Sequence, residues 1–189
     1  GWSGAKYATV TLDLGRVEPI GGVSLTTAAG VAGVTWPAAI HVLVSDDGKT
    51  YRDAGELIAL DRKKGGPLPS NYAIRRLVTN ELATRGRFVQ FAIIPMPGGS
   101  YIFTDEVEVF RGADDLLARS PSGEAVTVAR IFEKGRIGRS LRIRFTRDID
   151  MLRRTIGAAG LADDSIRRSL LESVEKVAAE LDPEAITLD

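Results

Sequence analysis

The sequence of 189 residues predicts an all-β jelly-roll sandwich over residues 1–112, followed by a linker and a helical extension over residues 113–189. Two observations support this. Short segments that alternate apolar and polar residues are separated by turn residues, with no helical pattern between them, as in sandwiches and barrels. After Gly112, apolar residues recur instead at the spacing of an amphipathic helix.

The first alternating segments form two predicted strands. Residues 7–14 place apolar side chains on one face and polar ones on the other, which is the pattern of a half-buried strand. Residues 15–19 are predicted to be a turn, and residues 20–27 a second strand.

The middle of the domain contains a hairpin signal. Residues 40–45 alternate as a third strand, and Asp46-Asp47-Gly48-Lys49 follows as a tight turn in which Gly48 can take a positive φ. Residues 50–60 are predicted to continue as short strands and residues 61–71 to form a long loop.

The domain closes with a pair of strands. Residues 73–78 are a predicted strand and residues 80–85 a connector. Residues 86–95 and 101–110 then form two strands joined by the loop 96–100, and the alternation around Glu106 and Glu108 ends the sheet.

Residues 113–189 differ from the first domain in composition and in the spacing of their apolar residues. Residues 114–123 are polar and contain proline, as a linker does, and residues 141–145 alternate like one more strand. Two helices are predicted, one over residues 148–159 and one from Asp163 or Asp164 to Leu181, stopped by Asp182-Pro183. They form a helical hairpin whose apolar stripes must bury against something.

The composition limits the classes of function. Lys plus Arg equals Asp plus Glu at 25 each, so no overall field favours nucleic acid or an acidic membrane. Cysteine is absent, which excludes disulfides and thiolate chemistry. No apolar run is long enough for membrane insertion. No signal peptide is recognisable, and the opening Gly1-Trp2 suggests the interior of a longer polypeptide.

No catalytic motif is present. GxSxG, P-loop, Rossmann and HExxH patterns are all missing, and His41 is the only histidine, so it is interpreted as structural or surface-exposed. Asp105 and Glu106 are adjacent on a strand and point to opposite faces, so they do not form a catalytic pair. The chain is therefore predicted not to be an enzyme.

The predicted strand order brings several loops to one end of the sandwich. The loops 28–37, 61–72 and 95–101 and the segment before Tyr7 should cluster there. An exposed ring beside hydrogen-bonding groups suits a sugar, because the ring can stack on the apolar face of a pyranose. The alternative for the two indoles is that they plug the open end of the sandwich. The candidate ligand-binding residues at this end are Trp2, Trp36, Asn71, Tyr72 and Tyr101.

Two basic runs are further candidates. Lys64, with Arg62 and Lys63, could contact an acidic sugar or a phosphate, and the alternative is a solvated surface. The second run, of arginines between residues 136 and 147, is interpreted as a solvated face, since no aromatic residues are interleaved to bind nucleic acid.

Four segments, in this order, resemble the discoidin or coagulation-factor C-type domain of the galactose-binding-like superfamily. They are Gly1-Trp2-Ser3-Gly4 before Thr9-Val-Thr-Leu-Asp-Leu-Gly15, Trp36-Pro37 before Ile40-His-Val-Leu-Val-Ser45, Asp46-Asp47-Gly48-Lys49-Thr50-Tyr51, and Gly86-Arg87-Phe88-Val89 leading to Thr104-Asp-Glu-Val-Glu-Val109.

The resemblance implies an eight-stranded jelly roll that acts as a carbohydrate-binding module, as many bacterial members do beside glycoside hydrolases. It implies a glycan or polysaccharide ligand and a place as an accessory region in a secreted or periplasmic bacterial protein. Two departures stand out: the segment that usually precedes the Trp-containing piece is absent, and residues 113–189 lie outside the resemblance.

The same resemblance suggests a structural calcium. Related sugar-binding modules hold the ion with backbone carbonyls near their start and a glutamate that begins the last strand, and Glu106 stands in a similar place. No other cofactor is implied. Two alternative functions stay open: a structural or protein-interaction domain that packs against an absent catalytic domain, and a module for anionic polymers.

Overall fold

The computed structural model describes residues 1–99, 101–159 and 164–180, apart from the side chains of Arg142 and Glu180. The chain divides into two compact units, Gly1–Arg130 and Ile131–Asp189. The first is a β domain and the second is helical. An antiparallel β domain followed by a helical region is therefore confirmed.

The described residues of the β domain form nine strands, which pair antiparallel. Six of them form a continuous path in the order β5-β2-β6-β3-β4-β9, β8 pairs with β2, and β1 pairs with β7. The bounds of the strands are β1 Trp2–Ser3, β2 Ala8–Ala29, β3 Ala39–Ser45, β4 Tyr51–Glu56, β5 Ala73–Thr79, β6 Thr84–Ile94, β7 Tyr101–Ile102, β8 Val107–Arg111 and β9 Ala125–Val126. One helix of this unit, α1, spans Leu57–Gly65, and a short 3₁₀ helix spans Asp114–Ala118.

The core is built from alternate residues of the central strands. On β6, Val89, Phe91 and Ile93 are fully buried, and on β3 Val42 and Val44 lie among them. The buried side chains recur at every second residue, as the sequence predicted, because successive side chains of a strand point to opposite faces.

The predicted turn at residues 15–19 is wrong, because β2 runs through it. The pairing of β2 with β6 shifts register between Asp13 and Glu18, so the extra residues form an irregularity within one strand. Gly15 has φ +81°, and its N–H donates to Asp13 Oδ1 at 2.8 Å. Glycine tolerates this conformation, so Gly15 accommodates the irregularity within the strand.

The predicted strands over 50–60 and the loop over 61–71 are partly replaced by α1. Glu56 caps this helix, since its carboxylate accepts from the N–H groups of Ile58 at 3.0 Å and Ala59 at 2.7 Å. Basic residues occupy the last turn, where they complement the helix dipole. The predicted strand 73–78 is confirmed as β5.

The predicted hairpin at Asp46–Lys49 is confirmed between β3 and β4. Asp47 Oδ1 accepts from the N–H of Thr50 at 2.8 Å, the N–H of Lys49 at 2.8 Å and the hydroxyl of Ser45 at 2.9 Å. These hydrogen bonds, that from Thr50 first, lower the pKa of the Asp47 carboxyl to about 2.

The pH dependence of the hairpin follows from that shift. The folded pKa lies below the ordinary value of 3.8, so the carboxylate stabilises the hairpin above about pH 4 and this contribution is lost as the pH falls through about 2. We expect NMR titration of the Asp47 carboxyl carbon to give a midpoint near 2, with the amide protons of Lys49 and Thr50 shifting together. A midpoint near the ordinary value would contradict the turn geometry.

Two further expectations about the end of the β domain are corrected. The single strand predicted for 101–110 is interrupted, because residues 103–106 separate β7 from β8. The predicted linker 114–123 contains the 3₁₀ helix, and β9 follows it and pairs with β4. The segment is therefore structured along the β domain.

The second unit contains most of α2, which spans Val128–Ala158, and all of α3, Asp164–Glu180. The predicted strand at 141–145 is wrong, because those residues lie inside α2. The helices predicted over 148–159 and from residue 164 correspond to the end of α2 and to α3, and Arg153 of α2 donates to Glu175 of α3 at 2.7 Å. No described helix is long and apolar enough to cross a lipid bilayer. The predicted cap Asp163 and the predicted stop at Leu181 and Asp182-Pro183 lie outside the described residues.

Candidate ligand-binding site

The register of the sheet brings the predicted loops to one end of the β domain. Ala8 pairs with Ile93, which also pairs with Ile40, so the starts of β2 and β3 and the end of β6 lie side by side. The segments that lead into or out of these strands must therefore meet. We call this the loop end and define it as residues 1–7, 30–38, 66–72, 95–99 and 101–104.

Hydrogen bonding and close backbone packing connect two of these segments. The indole N–H of Trp36 donates to the carbonyl of Pro69 at 2.8 Å. Gly30 has φ +97°, and a Cβ at that position would lie 2.5 Å from the backbone nitrogen of Tyr72. Only glycine allows both the conformation and the approach, so Gly30 fixes the segment that carries Tyr72.

The remaining segments are connected in the same way. The N–H of Thr35 donates to the carbonyl of Tyr101 at 3.3 Å, and Val34 forms an isolated bridge with the same residue. Trp2 pairs with Ile102 in the small β1–β7 sheet. The predicted clustering of the loops is thus confirmed.

Four large aromatic side chains are exposed at the loop end, and Tyr7 among them is 37% exposed. Tyr72 is 60% exposed, and Tyr101 and Phe103 are each 44% exposed. The ring centroids of Tyr101 and Phe103 lie 6.5 Å apart. Phe103 was not among the residues predicted from sequence; it is exposed on the same side of the chain as Tyr101, with the buried Ile102 between them.

The other predicted residues at this end have different environments. Asn71 is exposed beside Tyr72. Trp2 and Trp36 are half-buried, and Trp2 packs against the core. The two indoles therefore partly close this end of the domain, as in the alternative interpretation. Tyr72 and Tyr101 instead project from it.

Lys64 lies apart from this group. It is in the last turn of α1 and forms an ion pair with Glu81 at 2.8 Å, and Lys63 lies 3.9 Å from the same carboxylate. The hydrogen bond from Lys64 lowers the pKa of Glu81. Glu81 follows the end of β5, whereas Tyr72 precedes its start, so the basic run is at the far end of this strand.

Glu106, the predicted calcium ligand, lies just before β8. Its side chain is exposed, and its carbonyl already accepts from the N–H of Thr26 at 2.8 Å. In the parts of the chain that the structure describes, no three His, Asp or Glu side chains are grouped to hold a metal. Calcium takes six to eight oxygen ligands, of which the resemblance supplies several from backbone carbonyls, so the calcium site stays a prediction.

His41 is bound within the sheet. Its Nδ1 lies 2.7 Å from Asp53 Oδ2, and both side chains are about three-quarters buried, with 23% and 25% exposed. The imidazole links β3 to β4, as expected for a structural histidine.

Comparisons with known proteins give structural neighbours only. No family model and no curated protein matches the sequence. Among solved structures, CpGH89CBM32-6 of Clostridium perfringens is similar at 18% identity and a TM-score of 0.38, over 59% of this chain and 75% of its own. CpGH89CBM32-5 of the same organism, in complex with GalNAc-beta-1,3-galactose, is similar at 20% identity and a TM-score of 0.39, over 54% of this chain and 64% of its own.

Both neighbours are carbohydrate-binding modules, the class of protein that the sequence resemblance implied. Because the identities and TM-scores are low, the ligand of this chain has to be inferred from its own residues.

Proposed function

We propose that the loop end is a non-catalytic glycan-binding surface carried by a jelly-roll β domain. The observation that supports it most is the exposure of Tyr72, Tyr101 and Phe103 on connected loops at one end. On this proposal the chain is an accessory region of a larger secreted or periplasmic protein that acts on polysaccharide, and it holds the polymer without changing it.

The physical basis is stacking. An exposed aromatic ring offers a flat apolar face to the C–H groups of a pyranose, and the sugar hydroxyls need donors and acceptors around it. Asn71 supplies both beside Tyr72. The loop contacts at Gly30, Trp36 and Thr35 fix the rings before binding, which reduces the conformational entropy lost in the complex.

A second candidate function is protein interaction through the helical hairpin. Ile166, Leu170 and Val177 of α3 recur at helical spacing and are 43–52% exposed. Exposed apolar stripes of this kind often mark an interface. This function does not need a glycan, so a measurement of glycan binding distinguishes the two candidate functions.

We expect Tyr72→Ala and Tyr101→Ala each to weaken glycan binding by about 3- to 10-fold, the equivalent of about 0.7–1.4 kcal/mol of stacking. A glycan array would identify a ligand, and isothermal titration calorimetry would measure each variant. These tyrosines project from the surface, so thermal unfolding should be almost unchanged. Trp36→Ala is less suitable, because its indole N–H is bonded to Pro69.

The matched control is Leu117→Ala. Leu117 is also exposed and apolar, but its carbonyl accepts from Arg85, which also bonds Asp46 at the hairpin. It therefore marks the opposite end of the domain and should leave binding unchanged. If both tyrosine variants bind as the wild type does, or if no glycan binds, the proposal is wrong.

A further inference from the structure

We infer that the loop end selects uncharged glycans, an inference that depends on the proposed function. Its segments contain a single charged side chain, Lys6, although 26% of the residues of the whole chain are charged. They are made instead of glycine, proline, small polar and aromatic residues. The loop end is therefore much poorer in charged residues than the chain as a whole.

The carboxylates nearest to the loop end increase this bias. Asp105 and Glu106 follow its last segment directly and are exposed. Glu56 is the last residue of β4, and its carboxylate accepts from the N–H of Ile40 at the start of β3 at 2.8 Å, so it is engaged with backbone. An anionic ligand would therefore meet carboxylates after the last segment, while Lys63 and Lys64, which precede the segment 66–72, are already ion-paired with Glu81.

The arginines nearest to Tyr72 are also engaged. Arg75 donates to Asp61 Oδ2 at 2.9 Å and to the carbonyl of Gly65 at 2.9 Å. Arg76 donates to Glu108 Oε2. These hydrogen bonds join the guanidinium of Arg75 to α1 and that of Arg76 to β8, so a ligand carboxylate or sulfate would have to compete with acceptors of the protein.

These contacts decide which sugars the rings can accept. Stacking removes water from the ligand, and an anionic group that loses water without gaining a cation or a charge-assisted hydrogen bond is strongly disfavoured. A neutral pyranose loses only hydroxyl hydration, which the polar groups of the loops can replace. The surface thus favours uncharged pyranosides over uronic acids and sulfated sugars.

The test compares polysaccharides that differ only in charge. Highly methyl-esterified pectin is paired with the same pectin after de-esterification, and desulfated carrageenan with the native polymer. Affinity electrophoresis and calorimetry are run on the full chain. We expect the neutral member of at least one pair to bind about tenfold tighter than its anionic partner. Its affinity should change less than about twofold between about 20 mM and 500 mM NaCl.

Lys64→Ala, outside the loop end, is the charge control and should leave neutral binding unchanged within about twofold, whereas Lys6→Ala tests whether the one cation of the loop end contributes to binding of an anionic polymer. The selectivity is wrong if the anionic members bind equally or more tightly and if their affinity falls in salt or in Lys6→Ala. That result would still support glycan binding by the loop end. Failure of every polymer in both pairs and of every sugar on the array would instead refute the proposed function, and the selectivity with it.

Discussion

Replacing Phe91 with alanine should destabilise the β domain by about 3–5 kcal/mol. Phe91 is fully buried in β6, between Val10 of β2 and Val42 of β3, with which it pairs. Removing the ring loses the free energy of its transfer from water and leaves a cavity that three paired strands cannot collapse to fill. This is the largest single effect that we expect from a core substitution.

Equilibrium unfolding in urea, followed by tryptophan fluorescence, measures this change. Both tryptophans of the chain, Trp2 and Trp36, lie in the β domain, so the signal does not report on the second unit. Phe103→Ala is the matched control, since this phenylalanine is 44% exposed and should cost less than about 1 kcal/mol. Equal losses in the two variants would show that Phe91 is not in the core.

Asp61→Ala should cost about 3 kcal/mol. The side chain of Asp61 is 5% exposed, and its two oxygens hold α1 on the edge of the sheet. Oδ1 accepts from the N–H of Val78 at 3.0 Å and Oδ2 from Arg75 at 2.9 Å. Alanine would leave a backbone donor and a partly buried guanidinium without their acceptor, and such groups are costly to bury.

Asp61→Asn separates the two contributions. The amide oxygen can still accept from Val78, so we expect a smaller loss of about 1–2 kcal/mol. Asp115→Ala is the exposed control: it removes an ion pair with Arg119 in which both partners are more than half exposed, and it should change stability by less than about 0.5 kcal/mol. The same fluorescence measurement applies, and a loss for Asp61→Ala as small as that of Asp115→Ala would contradict the buried contact.

The parts of the fold that could be predicted are those in which a local pattern determines the structure. The alternation around Phe91 identified β6, and the glycine of the 46–49 turn identified the β3–β4 hairpin. Strand order then predicted that the loops carrying Trp36, Tyr72 and Tyr101 would meet, since antiparallel strands return their ends to the same side.

Other parts depend on contacts that a local pattern does not show. Helix α1 has little apolar periodicity, and it is fixed by the Glu56 cap and by the contacts of Asp61 with β5. Residues 141–145 alternate over too few positions to distinguish a strand from one part of a long helix. Whether a tyrosine or phenylalanine at the loop end projects or packs is decided by neighbouring segments, which is why Phe103 was missed.

The long strand β2 has a consequence for how the chain reaches its native state. It pairs with β5, β6 and β8, and its partners lie far along the sequence: Ala8 meets Ile93, and Leu25 meets Val107. Long loops must therefore close before these hydrogen bonds form, which makes folding slow compared with that of helices. During synthesis, β2 leaves the ribosome long before its last partner strand, so the pairing of its residues Ile20–Leu25 cannot be completed until β8 has been made.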